Sequence, residues 1–140
     1  MPLVNHREKV NASAEKLWGM MLEKIRRPDK YVPGIVRVEL LNDYNEFSVE
    51  RRMETAHGKL IREIIFADTV TKTVIFKYVQ DPMYSGFVTN TIFEEEDGVY
   101  LDYTLNWSLK SGQQDPQPES FWAETIKKAV LHAKAMAESQ

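Results

Sequence analysis

The stretch VYLDYTLNWSLK, residues 99–110, alternates apolar and polar side chains along its whole length. A period of two places Val99, Leu101, Tyr103, Leu105, Trp107 and Leu109 on one surface of a strand. Tyr100, Asp102, Thr104, Asn106, Ser108 and Lys110 then fall on the other. Such a strand suits an antiparallel sheet with one covered face and one wet face. Its inward side chains either fill a core or line a cavity that holds something else.

Immediately upstream, FVTNTIFEE (87–95) and the turn residues EDG complete an antiparallel hairpin with this strand. Farther back, IVRVELL (35–41), FSVERRMET (47–55), KLIREIIFA (59–67) and KTVIFKYV (72–79) read as four more strands, with NDYNE (42–46) and the His57-Gly58 pair as turns. Val36, Val38 and Leu40 share a face by parity, as do Phe47, Val49, Arg51 and Met53. VNHREKV (4–10) supplies a first strand. After it, Ser13 is a helix cap, Glu15 suits the positive first turn, and Ala14, Leu17, Trp18, Met21 and Ile25 recur at helical spacing. Pro28 stops that helix, and PDKYVPG forms a turn or single helical turn. The polar loop SGQQDPQPES (111–120) precedes a last helix whose stripe is Trp122, Ile126, Ala129, Val130, Ala133, Met136 and Ala137.

The expected architecture is therefore α+β, with a curved antiparallel sheet of about seven strands wrapped around a long C-terminal helix. A curved sheet and a straight helix part company along their length. The gap must be filled by large side chains or left as a pocket.

With 140 residues the chain has the length of one domain, expected to span 1–140. A net charge of -3 offers no long-range attraction to nucleic acid or anionic lipid, so neither is an expected partner. The basic cluster Lys24, Arg26 and Arg27 reads as the solvated end of a helix. Cysteine is absent, which removes disulfides, thiolate nucleophiles and cysteine-based metal sites. No apolar run is long enough for stable membrane insertion, and a cytoplasmic location is expected. His6, His57 and His132 stand in separate elements without metal-ligand spacing. There is no GxSxG and no GxGxxG. Neither a metal nor a cofactor is expected, and catalytic residues are not identified.

Seven residues are candidates for ligand contact. Arg51 shares parity with apolar neighbours, so it needs an acid, an anion or water as partner; Glu63 is the structural alternative to a ligand. Tyr103 and Trp107 combine apolar area with a hydrogen-bonding group. Asn90 and Glu63 lie on strands whose inward face the pattern leaves open. Trp122 belongs to the stripe of the last helix, and Tyr31, beside VPG, is placed to guard an end of a cavity.

SAEKLWGMMLEKIRRPDKYVPGI (13–35), followed by VELL, ERRMETAHGKLIREIIF, GFVTNTIFEEEDG and LDYTLNW, resembles the START-like, or SRPBCC (Bet v 1-like), superfamily. More narrowly it resembles the polyketide-cyclase-like branch that contains the AtaL-like proteins. The strongest pieces are Ala14 to Trp18, Val32 to Gly34, and Val88 to Ile92. The resemblance implies a helix-grip fold, with a cavity beneath the last helix for a small apolar, lipid-, aromatic- or polyketide-like molecule. It also admits an enzyme related to polyketide cyclases and dehydratases, whereas a filled cavity would suit a protein-protein adaptor. An exposed strand edge leaves homodimer formation open.

Overall fold

The computed structural model describes residues 3–139. Its elements are β1 (Leu3–Val10), α1 (Ala14–Arg26), α2 (Pro28–Tyr31), β2 (Ile35–Asn45), β3 (Ser48–Thr55), β4 (Leu60–Asp68), β5 (Thr73–Tyr78), β6 (Tyr84–Glu95), β7 (Gly98–Leu109) and α3 (Glu119–Glu138). One seven-stranded sheet runs in the order β1-β7-β6-β5-β4-β3-β2, antiparallel throughout. The chain thus leaves the β1 edge, crosses through α1 and α2, enters the opposite edge at β2, and meanders back to β7. This is the curved-sheet arrangement expected from the pattern and the helix-grip fold that the resemblance implies.

β7 sets the interior. Leu101, Tyr103, Leu105 and Trp107 are all buried, and β1 and β6 flank them in unbroken register. Onto this face α1 turns the stripe Ala14, Leu17, Trp18, Met21 and Ile25, every member of which is buried. The Ser13 hydroxyl caps α1 by accepting the Lys16 amide proton at 3.1 Å. Pro28 opens α2, where its missing N–H costs nothing. α3 lies along β1 and β7, burying Ile126, Val130 and Ala137.

Two local readings change. β2 bulges between Ile35 and Arg37, so Ile35 rather than Val36 stands across from β3, opposite Thr55, and Val36 is 62% exposed. NDYNE is not a turn: β2 continues to Asn45 through two further irregularities, and the chain reverses at Glu46 and Phe47. A bulge adds a residue without changing composition, so alternation alone does not reveal it.

Gly86 marks a close backbone approach between β6 and β7. It sits opposite Trp107 with φ +135°, and a Cβ there would lie 2.2 Å from the Asn106 carbonyl oxygen and 2.6 Å from Trp107 Cα. Backbone cannot yield as a side chain can. Gly86→Ala is expected to lower stability by about 2 kcal/mol or more, measured as a fall in the urea midpoint. An unchanged midpoint would show that β6 and β7 can separate at this point without loss.

Candidate functional site

The site begins at the last turn of α1. Lys24 follows Leu17 by seven residues and Met21 by three, so it continues the buried face of the helix. Its stem is partly exposed, but its amine points inward. Lys24 Nζ lies 5.0 Å from the centre of the Tyr103 ring and 5.1 Å from that of Phe76. The orientation of the Asn90 amide that satisfies its neighbours lets its oxygen accept from Lys24 Nζ at 3.2 Å, while its nitrogen donates to the Thr89 carbonyl at 3.2 Å. Burial pulls the Lys24 pKa down to about 8; the nearby Arg51 guanidinium pushes the same way, and Glu63 opposes both. The ring faces supply a further cation-π attraction for the charged form.

Behind Lys24 lies an ion pair closed to solvent. Arg51 on β3 and Glu63 on β4 face each other in register, and Arg51 Nη2 donates to Glu63 Oε1 at 3.1 Å. Arg51 Nη1 donates to the backbone carbonyls of Lys24 at 2.8 Å and Ile25 at 2.7 Å. These carbonyls belong to the C-terminal turns of α1, where helical carbonyls lack amide partners and the helix dipole is negative. A cation is the complementary group there. Arg51 is 2% exposed, and its Nε has no hydrogen-bond partner among the described residues.

In front of Lys24 is a cavity of about 310 Å³, lined by Lys24, Tyr31, Val32, Pro33, Tyr103, Lys128, Ala129, His132 and Ala133. It is walled on one side by α2 and the loop after it and on the other by the middle of α3, with Tyr103 as the contribution of the sheet. Burial pushes the Tyr103 phenol far above its ordinary range, so it stays protonated and can donate a hydrogen bond. Lys128 and His132, both exposed on α3, form the rim.

The opposite end of α3 is plugged. Trp122 meets Trp107 edge-on with centroids 4.6 Å apart, Tyr84 lies 5.4 Å from Trp107 and 5.8 Å from Trp122, and Tyr78 lies 4.9 Å from Trp107. Asp115 fastens this cluster, accepting from Trp122 Nε1 at 3.1 Å and from the Tyr84 hydroxyl at 3.2 Å. The Trp107 Nε1 donor is buried and has no partner among the described residues.

Of the seven candidates, Tyr31 and Tyr103 line the cavity. Asn90 and Glu63 turn inward, which resolves both parities, and with Arg51 they form the polar layer behind Lys24. Trp107 and Trp122 lie in the aromatic plug. The residue that sequence reasoning passed over is Lys24, grouped with Arg26 and Arg27 as a solvated helix end. Its spacing from Leu17 and Met21 carried the signal. Among the described residues no group of three His, Asp or Glu could hold a metal ion, and no helix is long and apolar enough to cross a membrane.

Comparison with solved structures places this arrangement in a recognised class. A START superfamily protein from Mycobacterium smegmatis superposes with a TM-score of 0.76 over 98% of this chain and 97% of its own, at 15% identity. The fold is START-like. A search of curated proteins returns no match. Residues 3–138 match the family model for AtaL, acetylaranotin biosynthesis cluster protein L, and the chain belongs to that family.

Two measurements test the polar layer. Arg51→Met leaves a buried Glu63 and two helix carbonyls without their partner, and is expected to cost about 3–5 kcal/mol in chemical denaturation. Arg51→Met/Glu63→Leu should recover part of that loss; a cost below about 1 kcal/mol for the single variant would show the pair to be dispensable. Lys24 binds fewer protons folded than unfolded between about pH 8 and its ordinary 10.5, so its contribution to stability rises with pH across that window. The wild type should therefore be penalised relative to Lys24→Met below pH 8 and regain the difference as pH climbs toward 10.5. A difference that stays flat with pH would mean the amine is fully hydrated.

Proposed function

We propose that this chain binds a small, mostly apolar molecule, aromatic or polyketide-like in shape, in the cavity between α2 and α3. The polar end of the ligand points at Lys24 and Tyr103. The observation that carries this reading is one cavity whose apolar wall is joined by Lys24 and Tyr103, with the amine 5.0 Å from the centre of the phenol ring. Tyr31, Val32, Pro33, Ala129 and Ala133 supply the apolar contact, and the two polar groups supply orientation. The volume of about 310 Å³ suits a ligand of one or two fused rings or a short acyl chain rather than a large lipid.

The other candidate residues act behind this contact surface. Asn90 holds the Lys24 amine in place, Arg51 and Glu63 hold the turn of helix that carries it, and Trp107 and Trp122 close the far end. Membership in a family named for a biosynthetic cluster protein, together with a fold that commonly takes hydrophobic ligands, supports the same reading.

Titration of the purified protein against aromatic acids, aromatic aldehydes and short fatty acids, followed by calorimetry, tests it. At least one class should bind in roughly the micromolar range. Ala133→Phe, which fills the cavity from α3, should weaken that binding by about tenfold or more. Silence across the panel, or affinity indifferent to Ala133→Phe, would overturn the assignment.

A further inference from the structure

We infer that the Lys24 amine is a nucleophile that captures an aldehyde or ketone carbonyl of the bound molecule as a reversible imine. This inference rests on the binding reading above and deepens it, because it names the functional group that the ligand must carry.

The position of Lys24 differs from that of a surface lysine in three ways. Its amine lies between two aromatic rings, at 5.0 and 5.1 Å from their centres, with a side-chain amide as its hydrogen-bond acceptor. That hydrogen-bond acceptor is neutral, and the Glu63 carboxylate that acts on the amine is already engaged by Arg51. Lys24 also lines the cavity, so a guest can reach it. The charged and titratable groups around it are Arg51 on β3, Glu63 on β4, Tyr103 on β7, Tyr31 on α2, and Lys128 and His132 on α3. Desolvation with a neighbouring cation is the combination that leaves a lysine amine partly neutral near physiological pH. Here burial and Arg51 bring the Lys24 pKa to about 8, so a useful fraction is unprotonated at pH 7.5.

The step balances without an oxidant or reductant. The neutral amine attacks the carbonyl carbon and a C–N bond forms as the carbonyl π pair moves to oxygen. A proton passes from nitrogen to that oxygen, and the carbinolamine loses water to leave C=N. Water entering through the open mouth reverses the sequence. Tyr103, held protonated, is a hydrogen-bond donor on the lining of the same cavity.

The test uses the full chain, 2-hydroxy-1-naphthaldehyde as probe, and borohydride to trap any imine as a secondary amine. The trapped adduct adds the mass of the aldehyde less one oxygen, and peptide mapping locates it. Lys24 should be labelled at least about tenfold faster than exposed lysines at pH 7.5, with a rate that rises toward a plateau above about pH 8. The preference for Lys24 should vanish, its labelling falling to the rate of the other lysines, when the protein is unfolded in urea before probe is added, a control that needs no variant to fold. Lys24→Met should remove the fast labelling and leave only the slow reaction of exposed lysines. If the probe binds, and Ala133→Phe weakens it, but the label falls on Lys128 or evenly over surface lysines, the imine is overturned and the binding site stands. If the probe and the wider panel fail to bind at all, both fall together.

Discussion

The structure depends on one guanidinium. Arg51 ties α1 to two paired strands: it donates to the carbonyl end of α1, stands in register on β3, and pairs with Glu63 on β4. A buried cation is costly in isolation, and so are helix carbonyls and a carboxylate taken out of water. Together each satisfies the others. The orientation of α1 follows, and with it the direction in which Lys24 projects. The amine is then held among aromatic rings instead of reaching water, which lowers its proton affinity and turns an ordinary residue type into the most distinctive group in the cavity.

Much of the fold was legible because it is written in periodicity. The stripe of α1 is buried residue by residue; on β7 Leu101, Tyr103, Leu105 and Trp107 are buried, while Val99 and Leu109 are only half-buried and Asp102 on the other face is covered by Asn5 and Arg7. The stripe of α3 holds less well: Ile126, Val130 and Ala137 are buried, but Ala129 is exposed at the cavity wall. That discrepancy is informative, since a helix facing a void shows its apolar side without burying it. The bulges of β2 escaped the pattern because an inserted residue shifts parity without altering composition.

The site was less legible than the fold. Glu63 and Asn90 lie on strands with apolar residues of both parities, and only pairing with neighbouring strands fixes which side they face. Arg51 was conspicuous as a charge among apolar neighbours, yet its partners include two backbone carbonyls that no side-chain pattern records. Lys24 was hidden by its company: two arginines beside it do reach the surface, where Arg26 pairs with Asp43 and Arg27 with Asp29. A run of like residues need not share one environment when each step along a helix turns through about 100°.

The long helix is tied down at both extremities. At its start, Trp122 is wedged among aromatic rings and tethered to Asp115; at its finish, the Ala137 carbonyl accepts from Lys16 Nζ at 2.6 Å and Glu138 accepts the Asn11 amide proton at 2.7 Å. A rod pinned at its two tips cannot swing aside as a door. The facing bank of the cavity is the single turn of α2 and the Val32-Pro33-Gly34 segment, where Gly34 adopts φ +85° and its carbonyl accepts from the Ala56 amide at 2.8 Å. Both banks thus take their position from anchors that lie outside the cavity itself.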